Sequence, residues 1–536
     1  MDIQKFQDHI NEGYACEGDA LVLGGAMMND NDVLSDGKVK VPVKMLNRHG
    51  LISGATGTGK TKTIQLIAEE MASNGISVLV MDLKGDLSGL ATNGESNSGI
   101  ESRHEKIGIP YQSEKFNAEL LSLSDEPGAR LRATVLEFGP ILFSKILELN
   151  DTQSGIMSVI FKYCDDNGLL LLDLKDFKSV LNYIENDGKD EFTAAYGQIS
   201  SASTGTILRK IIELEQQGAE KFFGEVSFEP EDLMKIDEKG RGLISVLRLT
   251  DMQDRPKLFS TFMLSLLAEI YATFPEAGDL DRPKLCLFID EAHLIFKNAS
   301  KALQDQIESI VKLIRSKGVG IFFATQNPSD IPDAVLSQLG FKAQHALRAF
   351  TAKDRKEIKQ TAENYPTSEY YDIAEMLTTL GIGEAAITVL DEKGRPTPLA
   401  RTMLRAPKTR MGVLTEDEIC TLVDQSKLVE KYNEEIDNES AYEYFMAKFE
   451  KAEAEAKEAE ANAEANAEEK KDDDDSEGGK PRKLKGEKEE ESLVGSLTKN
   501  TMVRQMGNTL LREVSRGLLG ALGLRSPRRR SSRRMW

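Results

Sequence analysis

A glycine-rich segment near residue 57 constrains this chain more than any other feature. Residues 54–61 read Gly-Ala-Thr-Gly-Thr-Gly-Lys-Thr and match the phosphate-binding loop pattern G-x-x-x-x-G-K-[ST] at every fixed position. An apolar run over 50–52 predicts a strand before this loop, and apolar residues at helical spacing over 62–72 predict a helix after it. A glycine-rich turn that matches by chance is the alternative, but the strand, loop and helix in succession favour a nucleotide site.

The residue types in this loop indicate how a nucleotide binds. Glycines allow successive backbone N–H groups to point at phosphate oxygens, and the N-terminus of the following helix adds its dipole. The pattern predicts that Lys60 reaches the β- and γ-phosphates and that the Thr61 hydroxyl ligates Mg²⁺. We therefore expect ATP and Mg²⁺ as cofactors. The expected nucleotide-binding residues are Gly54, Ala55, Thr56, Gly57, Thr58, Gly59, Lys60 and Thr61.

Composition excludes several classes of protein. The 536 residues carry 88 acidic and 68 basic side chains, a net charge of −20, so the whole chain is not a polycation. The four cysteines lie far apart without a C-x-x-C pair, which argues against a zinc site and against a disulfide framework. No secretory signal pattern is apparent, and no apolar run reaches the roughly 18–20 residues of a membrane helix. We expect a cytoplasmic protein without an integral membrane segment.

A second buried strand is predicted over 76–81, where apolar and β-branched residues form a continuous run. A helix between two apolar strands is a βαβ unit, which predicts a parallel sheet and an α/β fold. Asp82 follows this strand. It lies near the nucleotide crevice in one interpretation, and in the other it is a turn aspartate that bonds to its own backbone.

The third predicted strand delivers two acids to its carboxyl end. Residues 285–289 are apolar and are followed by Asp290 and Glu291. Such an aspartate is expected to hold Mg²⁺, and the next glutamate is placed to act as the general base that activates water. An apolar run followed by two acids is weak evidence alone. Together with a complete phosphate-binding loop it favours hydrolysis over nucleotide binding alone.

Three further residues are candidates for a role in hydrolysis. Gln326 follows a predicted strand over 319–324, where its amide is expected to orient the attacking water or to sense the γ-phosphate. A hydrogen-bonding role in the loop is the alternative. Arg315 and Arg348 are candidates for an arginine finger that reaches the ATP of a neighbouring subunit, and ordinary surface arginines are the alternative.

The motifs together resemble those of the bacterial HerA-like P-loop ATPases, and more narrowly the helicase HerA-like branch of that family. The resemblance covers about residues 40–410 and rests on residues 54–61, 290–293, 317–320 and 325–328. It implies a RecA-like core, a homo-oligomer in the form of a hexameric ring, and kinship with ATPases that translocate DNA. HerA helicases carry an N-terminal β-barrel ahead of the motor, and 46 residues are too few for a full barrel.

The predicted fold is an α/β P-loop NTPase core with a mainly parallel sheet, a largely helical insertion, and a C-terminal disordered linker with an amphipathic helix. The predicted segments are 1–46, a short N-terminal segment; 47–102, the phosphate-loop part of the core; 103–241, a mainly helical insertion; 242–410, the acidic-strand and sensor part with a C-terminal hairpin; 411–449, a helical extension; 450–492, a charged disordered linker; and 493–536, an amphipathic helix with an arginine-rich tail.

The last segment changes character abruptly from the acidic linker before it. One apolar stripe runs along residues 506–522, and residues 525–536 hold six arginines and no acid. Three interpretations stay open. The helix docks on the ATPase core and a solvated tail follows, or the segment binds nucleic acid, or it binds an anionic membrane surface.

Two functions follow from the sequence. The first is an oligomeric ATPase motor that acts on DNA, which rests on fold kinship. The second is an ATP-dependent regulator or scaffold that moves no nucleic acid, which the overall acidity favours. A transporter-type ATPase is disfavoured because no L-S-G-G-Q signature precedes Asp290, and a GTPase is disfavoured because no N-K-x-D motif occurs.

Overall fold

The computed structural model describes residues 2–28, 32–278, 280–297, 301–434, 436 and 438–474. The described residues up to Phe445 form one compact unit, and those from Met446 to 474 belong to a second. In the part of the chain that is described, every helix is too short or too polar to cross a lipid bilayer.

One twelve-stranded sheet organises the first unit. Its strands are β1 (Ala20–Met27), β2 (Val33–Pro42), β3 (Gly50–Ser53), β4 (Ser77–Asp82), β5 (Ala118–Ser122), β6 (Ala129–Arg130), β7 (Ile244–Arg248), β8 (Leu285–Ile289), β9 (Val319–Thr325), β10 (Phe341–Gln344), β11 (Glu384–Thr388) and β12 (Ala400–Leu404). Their spatial order is β2-β1-β12-β11-β10-β3-β9-β8-β4-β7-β5-β6. The pairs from β10 to β6 are parallel, and those from β2 to β10 are antiparallel. The predicted mainly parallel α/β sheet is confirmed.

Helices connect the strands and cover both faces of the sheet. They are α1 (Ile3–Gly13), α2 (Lys60–Ser73), α3 (Ser98–Ile107), α4 (Val135–Ile146), α5 (Asp151–Asp166), α6 (Leu174–Glu185), α7 (Lys189–Tyr196), α8 (Ser201–Gln216), α9 (Pro256–Thr273), α10 (His293–Lys297), α11 (Lys301–Ile314), α12 (Asp333–Leu336), α13 (Ala352–Glu363), α14 (Ile373–Thr379), α15 (Glu416–Asp424), α16 (Lys427–Tyr432) and α17 (Ala441–Asp474).

The central strands read as unbroken apolar runs because both of their faces are buried. On β4, Val78 and Val80 belong to one hydrophobic cluster, whereas Leu79 and Met81 belong to the other. This alternation follows from the two-residue period of a strand, which turns successive side chains to opposite faces. The two clusters therefore pack against opposite faces of the sheet.

The predicted helical insertion, residues 103–241, contains all five helices from α4 to α8, and it also contributes to the sheet. Strand β5 lies within it and pairs in parallel with β7, with Leu121 opposite Leu247. The sequence gives little sign of this strand, because it has only five residues and includes a glutamate. The antiparallel pair of β11 and β12 matches the hairpin expected at the end of the core, and β1 pairs with β12.

Helix α17 extends through residue 474, so helical structure covers the described part of the segment predicted as a linker. Alanine, glutamate and lysine dominate this stretch, and all three are strong helix formers even without a packed face. The remaining part of the predicted linker, the amphipathic helix and the arginine-rich tail lie outside the described residues.

Candidate nucleotide-binding site

The phosphate loop connects the end of β3 to the start of α2 and is held by its neighbours on three sides. Gly54 N–H donates to the Thr325 carbonyl at 3.3 Å, and Ala55 N–H donates to the Ala346 carbonyl at 2.9 Å. On the far side, Gly383 N–H donates to the Thr58 carbonyl at 3.0 Å. The loop conformation is therefore fixed by backbone contacts from strands on both sides of β3.

All three glycines of the loop have backbone conformations that other residues rarely adopt. Gly54 has a φ of 147°, and a Cβ atom there would lie 2.5 Å from the Cβ of His345. Gly59 precedes α2 with a φ of 114°. The pattern requires glycine at 54 because the backbone both turns and passes against a buried side chain.

His345 is a buried residue that supports the loop from behind. Its Nε2 lies 2.9 Å from the Thr63 hydroxyl on α2, and the residue is fully buried. Burial lowers the pKa of His345 to about 4, so the imidazole is neutral near pH 7. The sequence motifs did not single out this histidine for a role, because its contact with the loop joins residues far apart in the chain.

Lys60 lies at the first position of α2 and is 7% exposed. Its Nζ donates to the carbonyl oxygens of Gly54 at 2.7 Å and of Ala55 at 3.2 Å. Burial, followed by the nearby charge of Lys84, lowers its pKa. Thr61 is half-buried on the next position, while Thr56 and Gly57 are exposed at the tip of the loop.

Asp290 and Glu291 follow β8, which is separated from β3 by β9 alone. Because these three strands are parallel, their carboxyl ends meet at the edge that carries the phosphate loop. Asp290 Oδ1 accepts the Glu291 N–H at 2.9 Å, and Oδ2 is buried and accepts no hydrogen bond from the described residues. Burial, with a contribution from the charge of Glu291, raises the pKa of Asp290 to about 6.

Glu291 has a left-handed backbone, with a φ of 48°, which is uncommon for a residue other than glycine. The turn that follows is closed by the Ala292 N–H, which donates to the Ala324 carbonyl at 2.9 Å. One carboxylate oxygen of Glu291 forms an ion pair with Lys84, and the other lies 3.2 Å from His293 Nδ1. The side chain is 8% exposed.

Lys84 is a member of this site that the sequence motifs did not assign. It lies in the turn after β4, the strand next to β8. Burial lowers the pKa of Lys84, but the hydrogen bond to Glu291 and the charge of Asp290 raise it, and the net shift is upward. Its position two residues beyond a strand that ends beside β8 is the signal that would have indicated it.

Asp82 has the contacts of a turn aspartate, the second of the two interpretations of its sequence position. Its carboxylate accepts the N–H groups of Asp86 and Leu87, each at 3.0 Å, and so holds the turn that carries Lys84. Burial raises the pKa of Asp82 to about 6. The residue lies at the nucleotide edge of the sheet, and its described contacts are those of a turn aspartate.

The remaining candidates lie in different places. Gln326 is exposed directly after β9, between β3 and β8, and Arg348 is exposed four residues after β10. Both are therefore at the edge that carries the phosphate loop. Arg315 precedes β9 and lies at the opposite edge, close enough to His49 to lower the pKa of that histidine. The structure does not bring Arg315 near the loop of its own chain.

The residues at this edge fit a magnesium nucleotide. Within the described ranges, no three His, Cys, Asp or Glu side chains come together to form a metal site by themselves. Mg²⁺ at nucleotide sites is typically held by one or two protein oxygens together with phosphates and water. The Thr61 hydroxyl and the unbonded Oδ2 of Asp290 are hard oxygen donors of this kind.

A mainly parallel sheet with a phosphate loop after one strand, and with paired acids after a strand two positions away, defines a P-loop NTPase of the RecA-like class. The family model described as Helicase HerA-like C-terminal matches residues 28–529. This chain belongs to the HerA-like family, and the resemblance inferred from the motifs is confirmed.

Relatives of known name agree with this assignment. The DNA double-strand break repair helicase HerA of Sulfurisphaera tokodaii is 23% identical over 371 residues, which cover 66% of this chain and 64% of the relative. The protein of the same name from Saccharolobus solfataricus is 24% identical over 363 residues, 65% of this chain and 63% of the relative. The chain therefore spans less than two thirds of the length of these relatives.

A solved structure shares the fold. The bacterial conjugative coupling protein TrwBdeltaN70, in its unbound monoclinic form, superposes with a TM-score of 0.50 at 15% identity. The match covers 76% of this chain and 94% of that one. At this identity the likeness establishes the architecture alone, and it confirms the predicted P-loop α/β core.

Proposed function

We propose that this protein is a Mg²⁺-dependent ATPase that works as an oligomeric motor on DNA. The observation that carries the proposal is the meeting of the phosphate loop, Asp290 and Glu291 at one edge of a parallel sheet. Membership of the HerA-like family and the names of the helicase relatives support DNA as the substrate of the motor.

In this proposal the loop binds and orients the triphosphate. The backbone N–H groups of residues 54–61 and the Lys60 ammonium contact the phosphate oxygens. Thr61 and Asp290 would hold Mg²⁺, which would neutralise charge on the phosphates. The burial of Lys60 and Asp290 strengthens each of these electrostatic contacts relative to water.

Glu291 is the proposed general base. As the oxygen of a water molecule bonds to the γ-phosphorus, Glu291 takes a proton from that water. The bond between the γ-phosphorus and the bridging oxygen breaks, and ADP leaves with the electron pair. Gln326 is the proposed orienting group for the water, since it extends from the strand between the loop and the acids.

The oligomer enters the proposal through the arginine finger. Arg348 and Arg315 lie at opposite edges of the sheet, and both side chains are at least partly exposed. Either is therefore accessible to the nucleotide of an adjacent copy in a ring. The proposed ring is hexameric, in keeping with the family, and the expected cytoplasmic location stays a prediction from the sequence.

Hydrolysis is tested with Lys60→Ala and Glu291→Gln. We expect Lys60→Ala to abolish ATP binding, and Glu291→Gln to bind ATP normally while turnover falls on the order of a hundredfold or more. Binding is measured with a fluorescent ATP analogue and turnover by phosphate release. Unchanged nucleotide affinity in Lys60→Ala removes the loop assignment, and near-normal turnover in Glu291→Gln means that another group activates the water.

The second candidate, a regulator that hydrolyses ATP without moving DNA, is favoured by the net charge of −20. ATP turnover with and without duplex DNA across a salt series separates the two. A DNA motor is stimulated by DNA, and its binding weakens with salt because phosphate contacts release counterions. An ATPase rate that DNA does not stimulate, together with the absence of salt-dependent DNA binding, favours the regulator.

A further inference from the structure

Lys84 is held rigidly next to the acids that follow β8. The Asp82 carboxylate fixes its turn through the N–H groups of Asp86 and Leu87. The side-chain amide of Gln253 also donates to the Leu83 carbonyl at 2.7 Å. Lys84 therefore extends from a braced turn across to the neighbouring strand, where it forms the ion pair with Glu291.

The ion pair occupies the carboxylate that is proposed to act on water. One oxygen of Glu291 is bonded to Lys84, and the other lies 3.2 Å from His293 Nδ1. A carboxylate oxygen that is engaged by an ammonium group is not free to accept a proton from water. In this arrangement Lys84 engages Oε1 of Glu291, whereas Oε2 is buried and accepts no hydrogen bond from the described residues.

Lys84 also lies close to Lys60, whose pKa its charge helps to lower. The Lys60 ammonium group donates its hydrogen bonds to carbonyl oxygens of the phosphate loop. Two ammonium groups that converge in a partly buried site repel one another unless an anion lies between them. The charges of Glu291 and Asp290 partly oppose this repulsion at Lys60, and a terminal phosphate bound at the loop would bring further negative charge to both ammonium groups.

We propose that Lys84 exchanges partners when ATP binds, leaving Glu291 for the γ-phosphate. The arrival of that phosphate then removes the Lys84 ammonium from Oε1 of Glu291, and Lys84 adds positive charge to the transferred group. ADP, which lacks the γ-phosphate, leaves the ion pair intact. The exchange rests on the proposed ATPase function and assigns a further catalytic residue to it.

The exchange is tested in the Glu291→Gln background, where ATP itself serves as the ligand and the carboxylate that pairs with Lys84 is replaced by an amide. We expect the additional change Lys84→Met to weaken ATP binding about tenfold or more, as for loss of a charge-assisted hydrogen bond. The affinity for ADP should stay within about twofold of its value before the change. Lys84→Arg should restore part of the preference for ATP. Equal affinities for ATP with and without Lys84 overturn the exchange, because Lys84 then contacts Glu291 only.

Turnover in the otherwise unchanged protein gives a second measurement. We expect Lys84→Met to lower kcat about tenfold or more, because the positive charge that stabilises the transferred phosphate is lost. A rise in kcat with unchanged ATP affinity overturns the exchange and makes Lys84 a simple clamp on the base. These binding ratios stay interpretable even if Glu291 proves not to be the base, which the phosphate-release assay on Glu291→Gln decides separately.

Lys178→Met is the matched control. Lys178 forms a partly buried ion pair with Glu215 at 2.7 Å, with side-chain exposures of 29% and 17%, in the helical part of the chain. Its loss removes a lysine of similar environment at a site away from the phosphate loop. We expect both nucleotide affinities and kcat to stay within about twofold, so a larger change in Lys84→Met is specific to the site.

Discussion

A buried carboxylate anchors the helix that follows the phosphate loop. The pKa of this carboxylate predicts how the stability of the protein changes with pH. Glu69 on α2 is fully buried. Its oxygens accept the Lys408 N–H at 2.7 Å, the Thr409 N–H at 2.9 Å, and the Thr409 hydroxyl. These bonds fix the segment after β12 to the helix that carries Lys60.

Burial raises the pKa of Glu69 from its ordinary 4.5 to about 7, although the hydrogen bonds from Thr409 and Lys408 oppose the rise. The difference between the two pKa values corresponds to about 3 kcal/mol of unfolding free energy. The folded protein holds this proton more tightly than the unfolded chain does. The stabilising contribution is therefore complete below about pH 4.5 and is lost as the pH rises through 7.

The assay compares wild type with Glu69→Gln in denaturant-induced unfolding between about pH 5 and pH 8. Glutamine does not titrate, so the stability of the wild type relative to the variant should fall by up to about 3 kcal/mol across this range. Glu70→Gln, which loses pairs to Arg405 and Lys408 but keeps Glu69, is the control that retains the slope. If the difference in unfolding free energy between wild type and Glu69→Gln does not change with pH, burial does not raise the pKa of Glu69.

Two further predictions concern the nucleotide site. Gly54→Ala should weaken ATP binding about tenfold or more in a fluorescence titration, because its Cβ would lie 2.5 Å from that of His345; wild-type affinity would mean that the loop accommodates the methyl group elsewhere. Arg348→Ala or Arg315→Ala should lower turnover on the order of a thousandfold with ATP affinity retained, as for an arginine finger. Near-normal turnover in both variants would eliminate both residues from that role.

The local patterns were sufficient to predict the core of the fold. Residues 50–61 and 285–291 each combine an apolar strand with polar groups at its end, and parallel strands present those ends at one edge. The chain order of such units predicts the sheet without knowledge of distant contacts. Strand β5 was not predicted because its pairing with β7 is non-local and its few residues have no distinctive period.

The parts of the site that the sequence did not reveal depend on contacts between distant residues. The ion pair of Lys84 with Glu291 joins turns after two neighbouring strands, and the packing of His345 against Gly54 joins two others. Asp82 illustrates the same limit, since both of its interpretations require the same position at a strand end. The two interpretations are distinguished by the hydrogen bonds that Asp82 accepts from the following turn, and these require knowledge of the folded backbone.

The central claim is that the phosphate loop and the two acids act together on one magnesium nucleotide. A structure of the Glu291→Gln variant bound to ATP and Mg²⁺ tests this most directly. We expect the triphosphate along residues 54–61, Mg²⁺ between Thr61 and Asp290, and the side chain at position 291 directed at the γ-phosphate. A nucleotide bound elsewhere, or a γ-phosphate out of reach of position 291, would contradict the account.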